Sequence, residues 1–131
     1  MSLLLDTHAL VWWLIEPARL SPVAKLTIED ADEVWVSVVS IYEIDIKRRD
    51  QRLRSSDSAL QRMPSNMPHS LPRLGLSLLA VSADDAWQAA QLPLHHRDPW
   101  DRMLVAQARR LSLGLVTKDA AISAYEVGIV W

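Results

Sequence analysis

The chain contains no cysteine, and with cysteine go three kinds of chemistry: a disulfide framework, a thiolate zinc site and a sulfur nucleophile. The absence suits a reducing cytosol, and the protein is expected to be cytoplasmic. Glycine is nearly as scarce. With only Gly75, Gly114 and Gly128, neither a phosphate-cradling P-loop nor a dinucleotide fingerprint can be assembled. Long apolar runs are missing too, since the opening run is cut by Asp6 and the next by Glu16-Pro17. Both fall far short of the roughly 20 residues of a membrane span. Nor is there an excess of charge of one sign. Fourteen basic side chains against 16 acidic ones leave a net charge of -2, so attraction of nucleic acid must come from a local basic surface or from metal ions.

What remains is an ordinary globular composition, 50% apolar and 23% charged, in a chain of 131 residues. That length supports one core and is too short for two, so residues 1–131 read as a single domain. Short aliphatic runs at 3–5, 34–36, 76–81, 113–116 and 128–131 carry Val, Ile and Leu on consecutive positions, as strands covered on both faces do. Amphipathic stretches with start signals alternate with them. Ser21-Pro22 opens 23–30, Ser82 caps 83–92 with Asp84 and Asp85 in its first turn, and Asp98-Pro99 opens 100–111. The alternation predicts an α/β fold, a mainly parallel sheet of about five strands between helices. Residues 63–75, with Pro64, Pro68 and Pro72, are expected to form a loop or broken helix on the surface.

Four acids stand at the junctions of these elements. Asp6 follows the first strand, Glu43 and Asp101 lie near helix starts, and Asp119 follows the fourth strand. Each has a local explanation. Asp6 and Asp119 can cap helices, the latter over 120–125; Ser40 and Glu43 fit a capping box, with Lys47 one turn on; and Asp101 complements a helix dipole. Their coincidence has none, because in a parallel sheet strand ends and the following helix starts share one edge. Carboxylates gathered there repel unless a cation sits among them, and oxygen donors suit Mg²⁺ or Mn²⁺. Two such ions about 4 Å apart activate water and stabilise a leaving oxygen at a phosphodiester, with no nucleophilic side chain needed. Asp98 is open between helix cap and a direct or water-mediated metal role.

Other polar residues carry weaker signals. His8 is placed to touch substrate or a metal-bound water, or to be structural; His95 and His96 lack partners at zinc spacing and belong to the loop before Asp98. The run Lys47-Arg48-Arg49 with Arg52 and Arg54 can contact RNA phosphates or form a solvated face. Trp12, Trp13, Trp35, Trp87 and Trp100 fall in apolar stretches and are expected in a core or interface rather than under stacked bases.

Taken in order, Leu4-Leu5-Asp6-Thr7-His8-Ala9-Leu10 with Trp12-Trp13, Ser40-Ile41-Tyr42-Glu43-Ile44 with Lys47, the stretch 96–108, Leu115-Val116-Thr117-Lys118-Asp119 and the closing 127–131 resemble the PIN-domain ribonucleases, specifically the VapC toxins of bacterial toxin-antitoxin pairs. The resemblance implies a three-layer α/β/α fold and a Mg²⁺ or Mn²⁺ site from Asp6, Glu43, Asp101 and Asp119, with Asp98 as a further candidate. It also implies endonucleolytic cleavage of RNA, substrate contacts from His8, Lys47 and Thr117, homodimerisation and neutralisation by a small antitoxin. Apolar content and the Trp-bearing runs point to interfaces as well. One departure is Asp45, where such toxins carry a small residue; two positions from Glu43 on a helix, it faces elsewhere. A receiver domain shares the sheet type but needs adjacent acids after its first strand, where Asp6 stands alone. A catalytically silent PIN scaffold that binds or processes RNA is the other alternative.

Overall fold

Leu3, Leu4 and Leu5 are all fully buried, which a strand achieves only when both faces of its sheet are covered. The computed structural model describes residues 1–50 and 58–131. Its five strands are β1 (Ser2–Leu5), β2 (Glu33–Ser37), β3 (Ser77–Leu79), β4 (Gly114–Val116) and β5 (Ile129–Val130), ordered β3-β2-β1-β4-β5 with every pairing parallel. The described helices are α1 (Thr7–Ile15), α2 (Pro22–Glu29), α3 (Val38–Arg49), α4 (Ser58–Gln61), α5 (Met67–Arg73), α6 (Ala83–Gln91) and α7 (Pro99–Leu111). None is long and apolar enough to cross a membrane.

The pleat divides the core. Leu3 and Leu5 pack with α1, α2 and α5 on one face, whereas Leu4 packs with Leu92, Leu104, Val105 and Ala108 of the α6–α7 side on the other. This is the three-layer α/β/α arrangement expected from the sequence. From β1 the chain builds β2 and β3 to one side, then α6 and α7 carry it to β4 on the opposite side of β1. The order of strands therefore reverses between β1 and β4, and the crevice beyond their carboxyl ends is where such sheets place ligands.

Three local expectations are corrected. Residues 63–75 are not a surface excursion: Met63, Met67 and Leu71 are buried, and α5 forms with Pro68 and Pro72 inside it. Pro68 occupies the first turn, where its missing N–H costs nothing, and Pro72 falls in the last. Gly75, at φ +84°, then closes the helix: its N–H donates to the Pro72 carbonyl and that of Leu76 to the Leu71 carbonyl, a reversal that favours glycine. Second, α3 starts one turn early. Ser37 caps it through the Val39 N–H, so Ser40 and Glu43 are interior residues and form no capping box. Third, Ala120–Ala124 is a 3₁₀ turn, capped by Asp119 as expected.

Candidate active site

Asp6 leaves β1 at the switch point and caps α1, its carboxylate accepting the Ala9 N–H at 2.7 Å. Burial raises its pKa, opposed by hydrogen bonds from Thr117 and Ala9. Glu43 reaches the same crevice from the second turn of α3. One of its oxygens accepts the Thr7 hydroxyl at 2.8 Å, the other the Lys47 ammonium, and Thr7 also contacts Ser40 at 3.0 Å. Because α3 begins at Val38, Ser40 and Glu43 fall on the turn that faces α1. Asp101 comes from the first turn of α7 and Asp119 from the end of β4. These carboxylates and Asp98 line one cleft of about 510 Å³.

The cleft is electrostatically unbalanced. Burial first, then Asp98, with smaller contributions from Asp6 and Glu43, pushes Asp101 up to about 7 against an opposing pull from His96. Asp119 ends below its usual value: burial would raise it, but His96 and the Ala121 N–H hold its charge. Its Oδ2 lies 2.7 Å from His96 Nε2, which is 3.1 Å from Asp101 Oδ2. Ligand atoms of His96, Asp101 and Asp119 all lie within 4.8 Å of one another. Burial and anionic neighbours together disfavour the charge on half-buried Asp101, and the oxygen-rich donors fit a divalent cation.

Not every expected residue lies in the crevice. Asp98 does, but its Oδ1 is occupied by the Trp100 N–H at 2.9 Å, the cap predicted for it. Thr117, expected at the substrate, is 1% exposed and sits behind the carboxylates, its Oγ1 accepting the Asp119 N–H. Lys47 lines the cleft but is tied to Glu43. The other described members of the basic run, Arg48 and Arg49, are paired elsewhere. Arg48 binds Asp45 and the carbonyls of Met63 and Pro64, and Arg49 binds Asp45, which turns away from Glu43 as its offset requires. Arg52 and Arg54 lie outside the described residues.

Four residues join the cleft beyond those expected there: Arg19, Lys118, Trp12 and His96. Arg19 follows α1 on the 3₁₀ turn Pro17–Arg19, with its guanidinium 4.7 Å from the Trp12 ring, and Lys118 lies 6.0 Å from the same ring. Exposed His8 stacks on Trp12 at 5.5 Å, so Trp12 serves the cleft wall as well as the core. His96 was seen only as a loop residue. Its place two residues before a capping Asp was the available signal, since a side chain there can bond back to the loop.

The PIN domain family profile matches residues 3–128. The protein named Ribonuclease VapC22 from Mycobacterium tuberculosis is 30% identical over 125 residues, 95% of this chain and 92% of that one. Among solved structures, FitAcB from Neisseria gonorrhoeae is similar with a TM-score of 0.65 at 21% identity, covering 98% of this chain and 96% of that one. A toxin-antitoxin complex from Klebsiella pneumoniae gives a TM-score of 0.63 at 19% identity, with the same coverage of both chains. A sheet switch point lined by carboxylates, a profile spanning nearly the whole chain and this degree of identity place the chain in the PIN-domain family.

Proposed function

We propose that residues 1–131 act as a single-domain ribonuclease of the VapC type, the toxin of a toxin-antitoxin pair in the cytoplasm, and that it hydrolyses RNA phosphodiester bonds with Mg²⁺ or Mn²⁺. Nucleases of the PIN family generally use divalent metal. Here Asp6, Glu43, Asp101 and Asp119 are the residues that would hold it. The observation that carries the reading is convergence: four acids, from the ends of β1 and β4 and from α3 and α7, open onto one cleft.

When bound, a divalent ion makes nearby water more acidic and draws charge from the phosphoryl oxygens. The chain's own residues supply the rest. Asp6 and Glu43 are fixed by Ala9, Thr7 and Lys47, so their oxygens are oriented before substrate arrives. Arg19 and Lys118, over Trp12 at the cleft wall, offer cations to the RNA backbone in a chain whose net charge of -2 gives no general attraction. Water is the nucleophile: its oxygen bonds to phosphorus as the bond to the departing ribose oxygen breaks. A small antitoxin is the proposed partner, neutralising the cleft with a basic side chain. For the proposed homodimer, the support moves from the sequence-stretch around Trp12, which packs on Trp131 inside the protein, to Val38, Tyr42 and Ile46, exposed one turn apart along α3.

The test is RNA cleavage by purified Asp6→Asn and Asp101→Asn with Mg²⁺ or Mn²⁺. Both substitutions keep size and remove charge, and both should abolish cleavage while the protein stays folded. Full activity in the two variants would overturn the assignment.

A further inference from the structure

His96 belongs to no helix or strand, yet its ring makes three directed contacts. Nδ1 accepts the backbone N–H of Asp98 at 3.1 Å, while Nε2 faces Asp119 Oδ2 at 2.7 Å and Asp101 Oδ2 at 3.1 Å. A backbone N–H can only donate, so Nδ1 holds no proton in this arrangement and the ring's proton sits on Nε2. A nitrogen that carries a proton toward two carboxylates offers no lone pair to a cation. We infer that His96 is a positioning residue rather than a metal ligand: its Nε2–H draws the carboxylates of Asp101, on α7, and Asp119, after β4, within reach of one ion.

The loop that carries His96 is fastened accordingly. The His96 N–H donates to the Tyr125 hydroxyl at 2.9 Å, and that hydroxyl donates to the Pro93 carbonyl at 2.8 Å. The buried Arg102 guanidinium donates to the carbonyls of Ala89, Leu92, Pro93 and His96 at 2.9, 2.7, 3.0 and 3.2 Å. Arg102 directly follows Asp101, so one turn of α7 both presents a carboxylate and clamps the loop that orients it. Polar groups that hold ligating carboxylates commonly tune metal affinity about 10- to 100-fold. The inference rests on the reading of Asp101 and Asp119 as ligands.

Two substitutions separate the two bonds of the ring. The amide oxygen of asparagine falls near the place of Nδ1, so His96→Asn keeps the bond to Asp98 and loses the donor to the carboxylates. The amide nitrogen of glutamine reaches the place of Nε2, so His96→Gln does the reverse. Mn²⁺ and Mg²⁺ binding to RNA-free protein is measured by calorimetry, with thermal melting to confirm folding and Asp119→Asn as control. The expected result is a loss of about tenfold in affinity for both ions in His96→Asn and recovery to within about threefold of wild type in His96→Gln. Unchanged binding in His96→Asn would overturn the positioning role. So would a loss confined to Mn²⁺ that glutamine does not restore, because a nitrogen ligand favours Mn²⁺ over Mg²⁺. If His96→Asn fails to fold, His96→Ala takes its place: a loss for both ions that glutamine restores supports the donor, and unchanged binding or a selective Mn²⁺ loss refutes it. Wild-type binding that survives in Asp119→Asn removes the metal reading itself, and this inference with it.

Discussion

Asp85 and Asp101 occupy the same local position, third in a helix, one behind the cap Ser82 and the other behind the cap Asp98. The Asp85 side chain is completely buried and that of Asp101 is 21% exposed, and burial raises both. Their final values nevertheless part in opposite directions. Burial pushes Asp85 up, but the Arg110 guanidinium at 2.6 and 3.0 Å and the Ser82 backbone and hydroxyl bonds bring it below its usual value. Asp101 is pushed up by burial and again by Asp98, Asp6 and Glu43, with only His96 opposing, and reaches about 7. The same residue at the same helix position is a closed ion pair on one helix and an open demand for positive charge on the next. The difference lies in the neighbours: a guanidinium beside Asp85, carboxylates beside Asp101.

Exchanging the two residues' roles in experiment gives the largest contrast. Asp101→Asn should abolish metal-dependent cleavage yet stabilise the metal-free protein at pH 8. The native pKa of about 7 exceeds the ordinary 3.8, so between those values the native state binds more protons than the unfolded chain. Stability of the metal-free wild type therefore falls as pH rises from about 4 to about 7 and stays low above. Melting curves in chelator across that range should show the decline in wild type and lose it in Asp101→Asn; parallel curves would break the comparison. Mn²⁺ at about a hundred times its Kd should return about 2.7 kcal/mol to the wild type.

Asp85→Asn should do the reverse, leaving cleavage intact and costing about 2 kcal/mol in urea denaturation. That figure sits below the loss expected for a sealed ion pair because Arg110, 36% exposed, can still reach water. The sign with pH is also reversed. Since folding lowers the Asp85 pKa, its contribution is present above about 3.8 and is lost as pH falls through the lower native value, so the gap between wild type and variant should close in acid. A gap that persists undiminished at pH 2 would assign the loss to packing rather than to charge.

Much of this contrast was readable in the chain, and the unreadable part has a physical cause. Caps at Ser21, Ser82 and Asp98 are local bonds between neighbours, and the order of strands and helices follows from apolar runs, so both survive without a structure. The carboxylates could be gathered by topology alone, since strand ends in a parallel sheet share an edge. The start of α3 is hard to find in the sequence, because Val38-Val39 resumes the valine pattern of β2 after the single Ser37 and Ser40 offers a second capping pattern. Long-range polar bonds were invisible as well. Arg102 gathers carbonyls up to 13 positions away, Arg48 reaches Pro64 and His96 reaches Asp119, and in a sequence each is simply a charged residue on a helix or loop. Prolines in 63–75 read as breakers because their tolerance at helix ends depends on where the helix begins.

The smallest perturbation is the sharpest test of the explanation. Asp98 and Ser82 both cap their helices, through the N–H of Trp100 and of Asp85, but Asp98 also carries a charge toward Asp101 and is second only to burial among the causes of its shift. Asparagine caps nearly as well as aspartate, so Asp98→Asn should change stability by no more than a few tenths of a kcal/mol. With one anion removed, the pKa of Asp101 should fall from about 7 while remaining above 3.8, because burial, Asp6 and Glu43 persist. Carbon-detected NMR titration of the aspartate carboxyls in metal-free protein reads this directly. An unmoved Asp101 would mean that the charge of Asp98 has no part in the contrast. Mn²⁺ affinity supplies the second reading: a modest weakening fits a cap that contributes only its field, whereas a loss as deep as that of Asp101→Asn would show that the Asp98 carboxylate leaves its cap to bind the ion.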